Sequence, residues 1–143
     1  MMISTRGRYA LRVMIDLAEH NNESHIPLKE IVVRQEISHK YLEGIMTDLT
    51  KAGFLYGQHG KGGGYKLKRS ADEITVLEVL QTTEGDLAPI ACLYATADPC
   101  ARAAECRTLP MWKKFHELIR DYFNGITIAD LMKTDTGSDN YVI

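Results

Sequence analysis

The chain has 143 residues, 45% of them hydrophobic and 25% charged, with a formal net charge of −2. That length suits one domain, or one domain with an attached dimerisation element, and about 70% of the unfolded surface can be buried without staples. No stretch approaches the ~18 apolar residues of a membrane span, no apolar run follows a basic segment at the N-terminus, and an odd count of 3 cysteines argues against a disulfide framework and for a reducing cytoplasm.

The charge is unevenly spread. Residues 1–70 carry 11 Lys and Arg against 7 Asp and Glu, and residues 71–143 carry 6 against 12. A basic half can face phosphate while an acidic half stays away from it, although chance asymmetry also fits.

Residues 5–20 read as a helix, because Ala10, Val13, Met14, Leu17 and Ala18 recur at helical spacing behind Ser4 or Thr5 as N-cap. After the polar break at residues 21–24, Pro27 opens a second helix over 27–35 with Leu28, Ile31 and Val32 inward. Ser38 caps a third helix over 38–51, whose buried stripe is Tyr41, Leu42, Ile45, Met46 and Leu49. Gly53 stands just past its end, where a left-handed cap favours glycine. Two architectures fit this much: a helix-turn-helix and a generic three-helix bundle.

The next segment tips the balance. Phe54, Leu55 and Tyr56 favour a strand, and Tyr65 and Leu67 alternate with Lys66 and Lys68. Between them His59 and Lys61 sit among Gly60 and Gly62 to Gly64, a small cationic tip open to close backbone approach. A hairpin behind a helix-turn-helix is a wing, and a cationic tip suits the negative potential of a narrow minor groove. A plain surface hairpin is the bland alternative. A phosphate-binding loop is disfavoured, because the run lacks the Gly-Lys-Ser/Thr ending and opens no helix.

A fourth helix is predicted over 75–82 with Thr75 as cap, followed by a loop over 83–107 that holds Pro89, Pro99 and all three cysteines, Cys92, Cys100 and Cys106. A long helix begins near Thr108 with Pro110 in its first turn and runs to the stop signal Asn124-Gly125. Its stripe of Met111, Trp112, Phe115, Leu118, Ile119, Tyr122 and Phe123 is broader than a small winged helix needs. That stripe reads as a dimerisation surface, with internal packing as the alternative. A short helix over 127–133 and a polar, mobile tail close the chain. The expected fold is mainly α with a small β-hairpin wing: a winged helix-turn-helix plus a long C-terminal dimerisation helix. It divides into a DNA-binding domain (1–82), a sensor loop (83–107), the dimerisation and final helices (108–133) and the tail (134–143). No Ser/His/Asp constellation or carboxylate pair suggests an enzyme.

Ser38, His39, Lys40, Tyr41 and Glu43 lie at the N-terminal end of the third helix, the part that meets base edges in a helix-turn-helix. Lys40 and His39 can donate to guanine or phosphate. Glu43 repels phosphate unless it accepts from cytosine N4, and its bland reading is a solvated helix charge. Arg6 and Arg8 can hold phosphates or simply form a polar face. If His59 contributes as a cation, DNA binding weakens between mildly acidic and neutral pH. Three thiols in one loop can hold an iron–sulfur cluster, hold zinc or act as a redox switch, and both metal readings ask for a fourth ligand.

Three motifs in order carry a family resemblance: Ile3-Ser-Thr-Arg-Gly-Arg-Tyr-Ala10, Ile37-Ser-His-Lys-Tyr-Leu-Glu43 and Gly60-Lys-Gly-Gly-Gly-Tyr65. Over nearly its whole length the chain resembles the IscR/NsrR/CymR group of bacterial winged-helix transcription regulators, and its cysteine triplet resembles the iron–sulfur, IscR-like branch. The resemblance implies a cytoplasmic homodimer bound to double-stranded DNA at a palindromic operator, without membrane contact. It implies an iron–sulfur cluster on Cys92, Cys100 and Cys106, with 2Fe–2S favoured over 4Fe–4S, that senses iron–sulfur status, redox or nitric oxide. It also implies that Glu43 selects among operator types according to cluster state.

The chain departs from that pattern at His59, where many members carry arginine, and at three places that bear on the cluster. The gap between Cys92 and Cys100 is longer than the family's usual one. Leu109 stands where IscR-like members place a ligating histidine, and Arg8 where NsrR-like members can place an acid. The fourth ligand is therefore open among Asp98, Glu105, His116, a first-helix residue of a second copy and a small exogenous molecule. The competing functions are a cluster-free thiol or zinc regulator, and a small redox or cluster-handling protein without specific DNA binding.

Overall fold

The computed structural model describes residues 2–132, so Lys133 and the tail expected at 134–143 lie outside the described residues. The chain runs α1 (Thr5–Glu19), α2 (Leu28–Gln35), α3 (His39–Lys51), β1 (Leu55–Gln58), β2 (Gly64–Leu67), α4 (Val76–Glu84), a 3-10 turn (Ala91–Leu93), α5 (Leu109–Asn124) and α6 (Ile128–Leu131). This is a mainly helical fold with one two-stranded antiparallel hairpin.

Helix α1 is the central element. The Ser4 hydroxyl accepts the Gly7 N–H at 3.2 Å, which satisfies one of the free donors at the helix start. Ala10, Val13, Met14 and Leu17 are fully buried against α2, α3, α4 and α6. Asp16, on the same helix, is also buried, at 2% exposure. Its carboxylate accepts two bonds from the Arg34 guanidinium, at 2.9 and 2.7 Å, and one from the Gln35 amide at 2.8 Å. Burial pushes the Asp16 carboxyl up, but those hydrogen bonds and the Arg34 charge outweigh it and hold the group below the usual carboxylate range.

Pro27 precedes α2 as its cap residue instead of its first helical residue. The helix ends at Glu36, which takes a left-handed conformation at φ 54° that non-glycine residues seldom adopt. Ile37 then drops into the core, and the Ser38 hydroxyl accepts the Tyr41 N–H at 3.2 Å to start α3. Leu42, Ile45, Met46 and Leu49 are buried as the stripe predicts. Tyr41 is the stripe's rim: it is 37% exposed and meets Tyr9 edge-on, with ring centroids 5.7 Å apart.

Phe54 belongs to the core and not to the strand that follows it. In the hairpin Leu55 faces Leu67 and Gln58 faces Gly64. Ile26 exchanges backbone hydrogen bonds with Tyr65 at 2.8 and 2.9 Å, so the segment ahead of α2 pairs with the inner edge of the wing. Gly64, at φ +144°, lies against the Ile26 and Pro27 backbone, where a Cβ would collide.

Helix α4 extends two residues past the predicted end. The Thr82 and Thr83 hydroxyls donate back to the Glu78 and Leu80 carbonyls at 3.0 and 3.3 Å, and Gly85 ends the helix. Thr75 and Glu78 form a capping box at its start. Val76, Leu77, Leu80 and Leu87 make a second, smaller cluster that Phe123 and Ile126 help to cover. Helix α6 returns to the main core: Ile128 is fully buried and its N–H donates to the Ile74 carbonyl at 2.9 Å. Among the described residues no helix is long and apolar enough to cross a membrane.

Candidate functional site

Two surfaces carry chemistry. The first is formed by α3 and the wing. A cleft of about 600 Å³ lies between the start of α2, the exposed side of α3 and the hairpin tip, lined in part by Lys29, His39, Glu43, Thr47 and His59. Ser38, His39, Lys40, Tyr41 and Glu43 are all exposed, as are His59 and Lys61. One turn of α3 brings His39 Nδ1 to 3.2 Å from Glu43 Oε1, with both side chains more than half exposed. Glu43 thus has a neighbour that can offset its charge when the imidazole is protonated. Lys40 and Lys61 have no side-chain partner among the described residues, so both ammonium groups are free to meet phosphate.

The two arginines of α1 are placed differently. Arg8 is exposed and, among the described residues, donates only to the Thr5 hydroxyl, at 3.1 Å. Arg6 donates to the Gly44 carbonyl at 3.0 Å and pairs with Asp48, so it braces the start of α1 against the middle of α3. The shaft of the wing carries two cations outside the expected site set: the Lys66 and Lys68 ammonium groups lie 5.8 and 5.4 Å from the centre of the Tyr56 ring. The signal for them was the strand alternation itself, which puts both lysines on the face opposite Tyr65 and Leu67.

The second surface is the loop that follows α4. Asp86 organises its entrance by accepting the backbone N–H groups of Ala88 and Ala95 at 2.9 and 2.8 Å. Beyond it, Cys92, Cys100 and Cys106 line one pocket of about 250 Å³ together with Asp98, Leu109 and Lys113. All three thiols are free, with Cys92 and Cys100 exposed and Cys106 half-buried. Cys106 lies just ahead of α5. The Thr108 hydroxyl, 3.5 Å from its sulfur, and then the backbone N–H groups of Thr108 and Leu109 hold the Cys106 thiol below its ordinary value. A helix start favours the thiolate, which is the form that ligates metal.

The donor set therefore suits an iron–sulfur group: three thiols on one pocket, one of them already biased toward thiolate. The pocket gathers the thiols without closing them on a point, since among the described residues no three His, Cys, Asp or Glu side chains stand close enough to share a metal ion. The candidate fourth ligands separate spatially. Asp98 lines the cysteine pocket, His116 lines a neighbouring one beside Asp86 and Arg120, and Glu105 is exposed and on neither.

Two further features flank the loop. The Glu84 carboxylate, at the end of α4, accepts the Ser4 N–H at 3.0 Å and the Ser4 hydroxyl at 2.5 Å. On α5, only Ile119 is buried, while Met111, Phe115, Leu118 and Tyr122 form an exposed apolar stripe on one side of the helix.

Residues 3–134 match the family model Rrf2, described as an iron-dependent transcriptional regulator. The chain is 36% identical over 133 residues to the HTH-type transcriptional regulator IscR of Vibrio atlanticus, covering 93% of this chain and 76% of that one. It is 37% identical over 134 residues to the protein rrf2 of Nitratidesulfovibrio vulgaris, covering 93% and 88%. Among solved structures, IscR of T. potens superposes with a TM-score of 0.74 at 30% identity, over 99% of this chain and 94% of that one. CymR, the global cysteine regulator of B. subtilis, superposes with a TM-score of 0.73 at 30% identity, over 92% and 95%.

Proposed function

The chain belongs to the Rrf2 family of transcriptional regulators, and we propose on that premise that two copies bind a palindromic operator under the control of an iron–sulfur group held by Cys92, Cys100 and Cys106. The observation that carries this reading is the shared pocket: three cysteines spread over fifteen residues of loop line one cavity at the foot of α5. A bound cluster would supply a group that oxidants, nitric oxide or a falling iron supply can alter, with 2Fe–2S favoured. The setting is the cytoplasm, where thiols stay reduced.

The chain's own residues divide the work. Helix α3 enters the major groove, with Lys40 and His39 as donors and Glu43 as the base-selective acceptor. Lys61 and His59 at the tip approach the minor groove, and Arg8 meets phosphate. The exposed stripe Met111, Phe115, Leu118 and Tyr122 packs against the same stripe of a second copy, as an isologous interface requires. The loop reaches the DNA face through α1: Glu84 holds Ser4, and two residues on, Arg6 holds Gly44 and Asp48 of α3. A shift of α4 when the cysteine loop is rearranged is thereby passed to the recognition helix.

The test is made on the full chain purified without oxygen. Visible absorption, iron and sulfide content are measured together with operator affinity, for the natural protein and for Cys92→Ala, Cys100→Ala and Cys106→Ala. The expected result is a brown protein, colourless variants and a change of at least ~5-fold in operator affinity. Equal operator binding by the holo protein and all three variants would remove the switch.

A thiol-based switch is the second reading, favoured by the absence of a metal-sharing trio among the described residues. It predicts a colourless protein whose DNA binding responds to a mild oxidant through a disulfide within the loop.

A further inference from the structure

We propose that Asp98 supplies the fourth protein ligand of the iron–sulfur site, a role that rests on the cluster reading above. The loop offers few groups that could do this. Of the side chains that line the cysteine pocket, Leu109 has no donor atom, and Lys113 brings a cation with no lone pair while it is protonated. Asp98 is the one lining carboxylate, and carboxylate oxygen is an accepted iron ligand. The rival groups are spent or displaced. Asp86 is committed to the Ala88 and Ala95 N–H groups, His116 faces Asp86 in another cavity, and Glu105 lines neither.

Local backbone supports the assignment. Residues 97–100 form no helix or turn, and Pro99 confines Asp98 to extended conformations. In extended chain, residues two apart face the same side, so Asp98 and Cys100 share a side of this segment. Both line the same pocket. The Asp98 carboxylate also has no hydrogen bond or ion pair among the described residues, so no existing contact must break for it to turn inward. A carboxylate is a harder donor than thiolate, so Asp98 would be the most readily exchanged of the four ligands.

The experiment reconstitutes the full chain with ferrous iron and sulfide under nitrogen, as the natural protein, Asp98→Ala, Asp98→Cys, Cys92→Ala and Glu105→Ala. Visible circular dichroism and electron paramagnetic resonance of the reduced cluster report ligand identity, and half-life against a ferrous chelator reports retention. Far-ultraviolet circular dichroism of the apo forms confirms folding. Asp98→Cys should hold the cluster with an altered, all-thiolate spectrum and a half-life about 10-fold longer, Asp98→Ala should lose it about 10-fold faster, and Glu105→Ala should match the natural protein. Spectra and half-lives of both Asp98 variants equal to the natural protein's, while Cys92→Ala loses the cluster, would overturn the assignment. A natural protein that takes up neither iron nor sulfide overturns the cluster reading and this ligand with it.

Discussion

The N-terminal helical half and the cysteine half of the chain satisfy themselves in different ways. Around α1, α2 and α3 the apolar stripes are buried, each helix start is closed by a side chain or by proline, and the buried Asp16 carboxylate has three donors. From the 3-10 turn to the end of α5 the balance is reversed: two thiols are exposed, no residue of the turn is buried, and α5 buries Ile119 alone while four large apolar side chains face outward. One region completes its own contacts within a single chain. The other leaves thiols and large apolar side chains without partners within the described chain, as the proposed metal group and second copy require. The self-contained region and the open one are thus kept apart along the sequence, with Glu84, Ser4 and Arg6 as the polar link between them.

Four perturbations probe that contrast. The largest expected effect is at Asp16. Replacing it with Ala removes three charge-assisted hydrogen bonds from a buried position and should cost about 2 kcal/mol of unfolding free energy in urea denaturation. Because the folded Asp16 carboxyl is held below its ordinary value, its contribution is complete at neutral pH and is withdrawn as the pH falls below about 4. The natural protein should therefore lose stability on acidification more steeply than Asp16→Asn does. If the two titrate in parallel, the N-terminal half is not held by this buried charge.

Next comes the outward face of α5. Phe115→Glu combined with Leu118→Glu should yield a folded monomer by light scattering and weaken operator binding by at least ~10-fold, about 1.4 kcal/mol. A smaller effect, of opposite sign, belongs to the turn between α2 and α3. Glu36→Gly relieves the left-handed backbone at an exposed position and should raise stability by about 0.5 kcal/mol, after the entropy of glycine in the unfolded chain is set against it. The smallest change is expected for the apo form of the triple Cys92→Ala, Cys100→Ala, Cys106→Ala variant, whose unfolding free energy should stay within about 0.5 kcal/mol of the natural apo protein's. A larger loss would mean that the loop is part of the core, and would dissolve the contrast.

Much of this architecture is legible in the residues because it is local. Ser38 and Thr75 announce caps that form as expected, the stripe from Leu42 to Leu49 is buried, and the glycine-rich run folds as a hairpin tip. What stays hidden depends on partners far along the chain. Asp16 sits between Val13 and Leu17 and looks like a solvated charge until Arg34, 18 residues on, closes over it. Arg6 looks like a free cation until Asp48, 42 residues on, engages it. The expected end of α4 at residue 82 falls short because two threonines, poor helix formers in isolation, are held by their own back-bonds. At the cysteine loop, spacing identifies the thiols but carries no direction. The shared pocket, and the separation of Asp98 from His116 and Glu105, come from the path of a loop without regular repeats.

The pairing of Ile26 with Tyr65 has a consequence for how operators are told apart. With the segment ahead of α2 bonded to the wing, and Gly64 seated on the Ile26 backbone, the hairpin cannot swing independently of the helix-turn-helix. The span from the start of α3 to the wing tip is then a fixed length, like the jaw of a caliper locked at one setting. If two copies pair through α5 as proposed, each half-site would be measured at that setting, and the adjustable distance would be the gap between the two calipers.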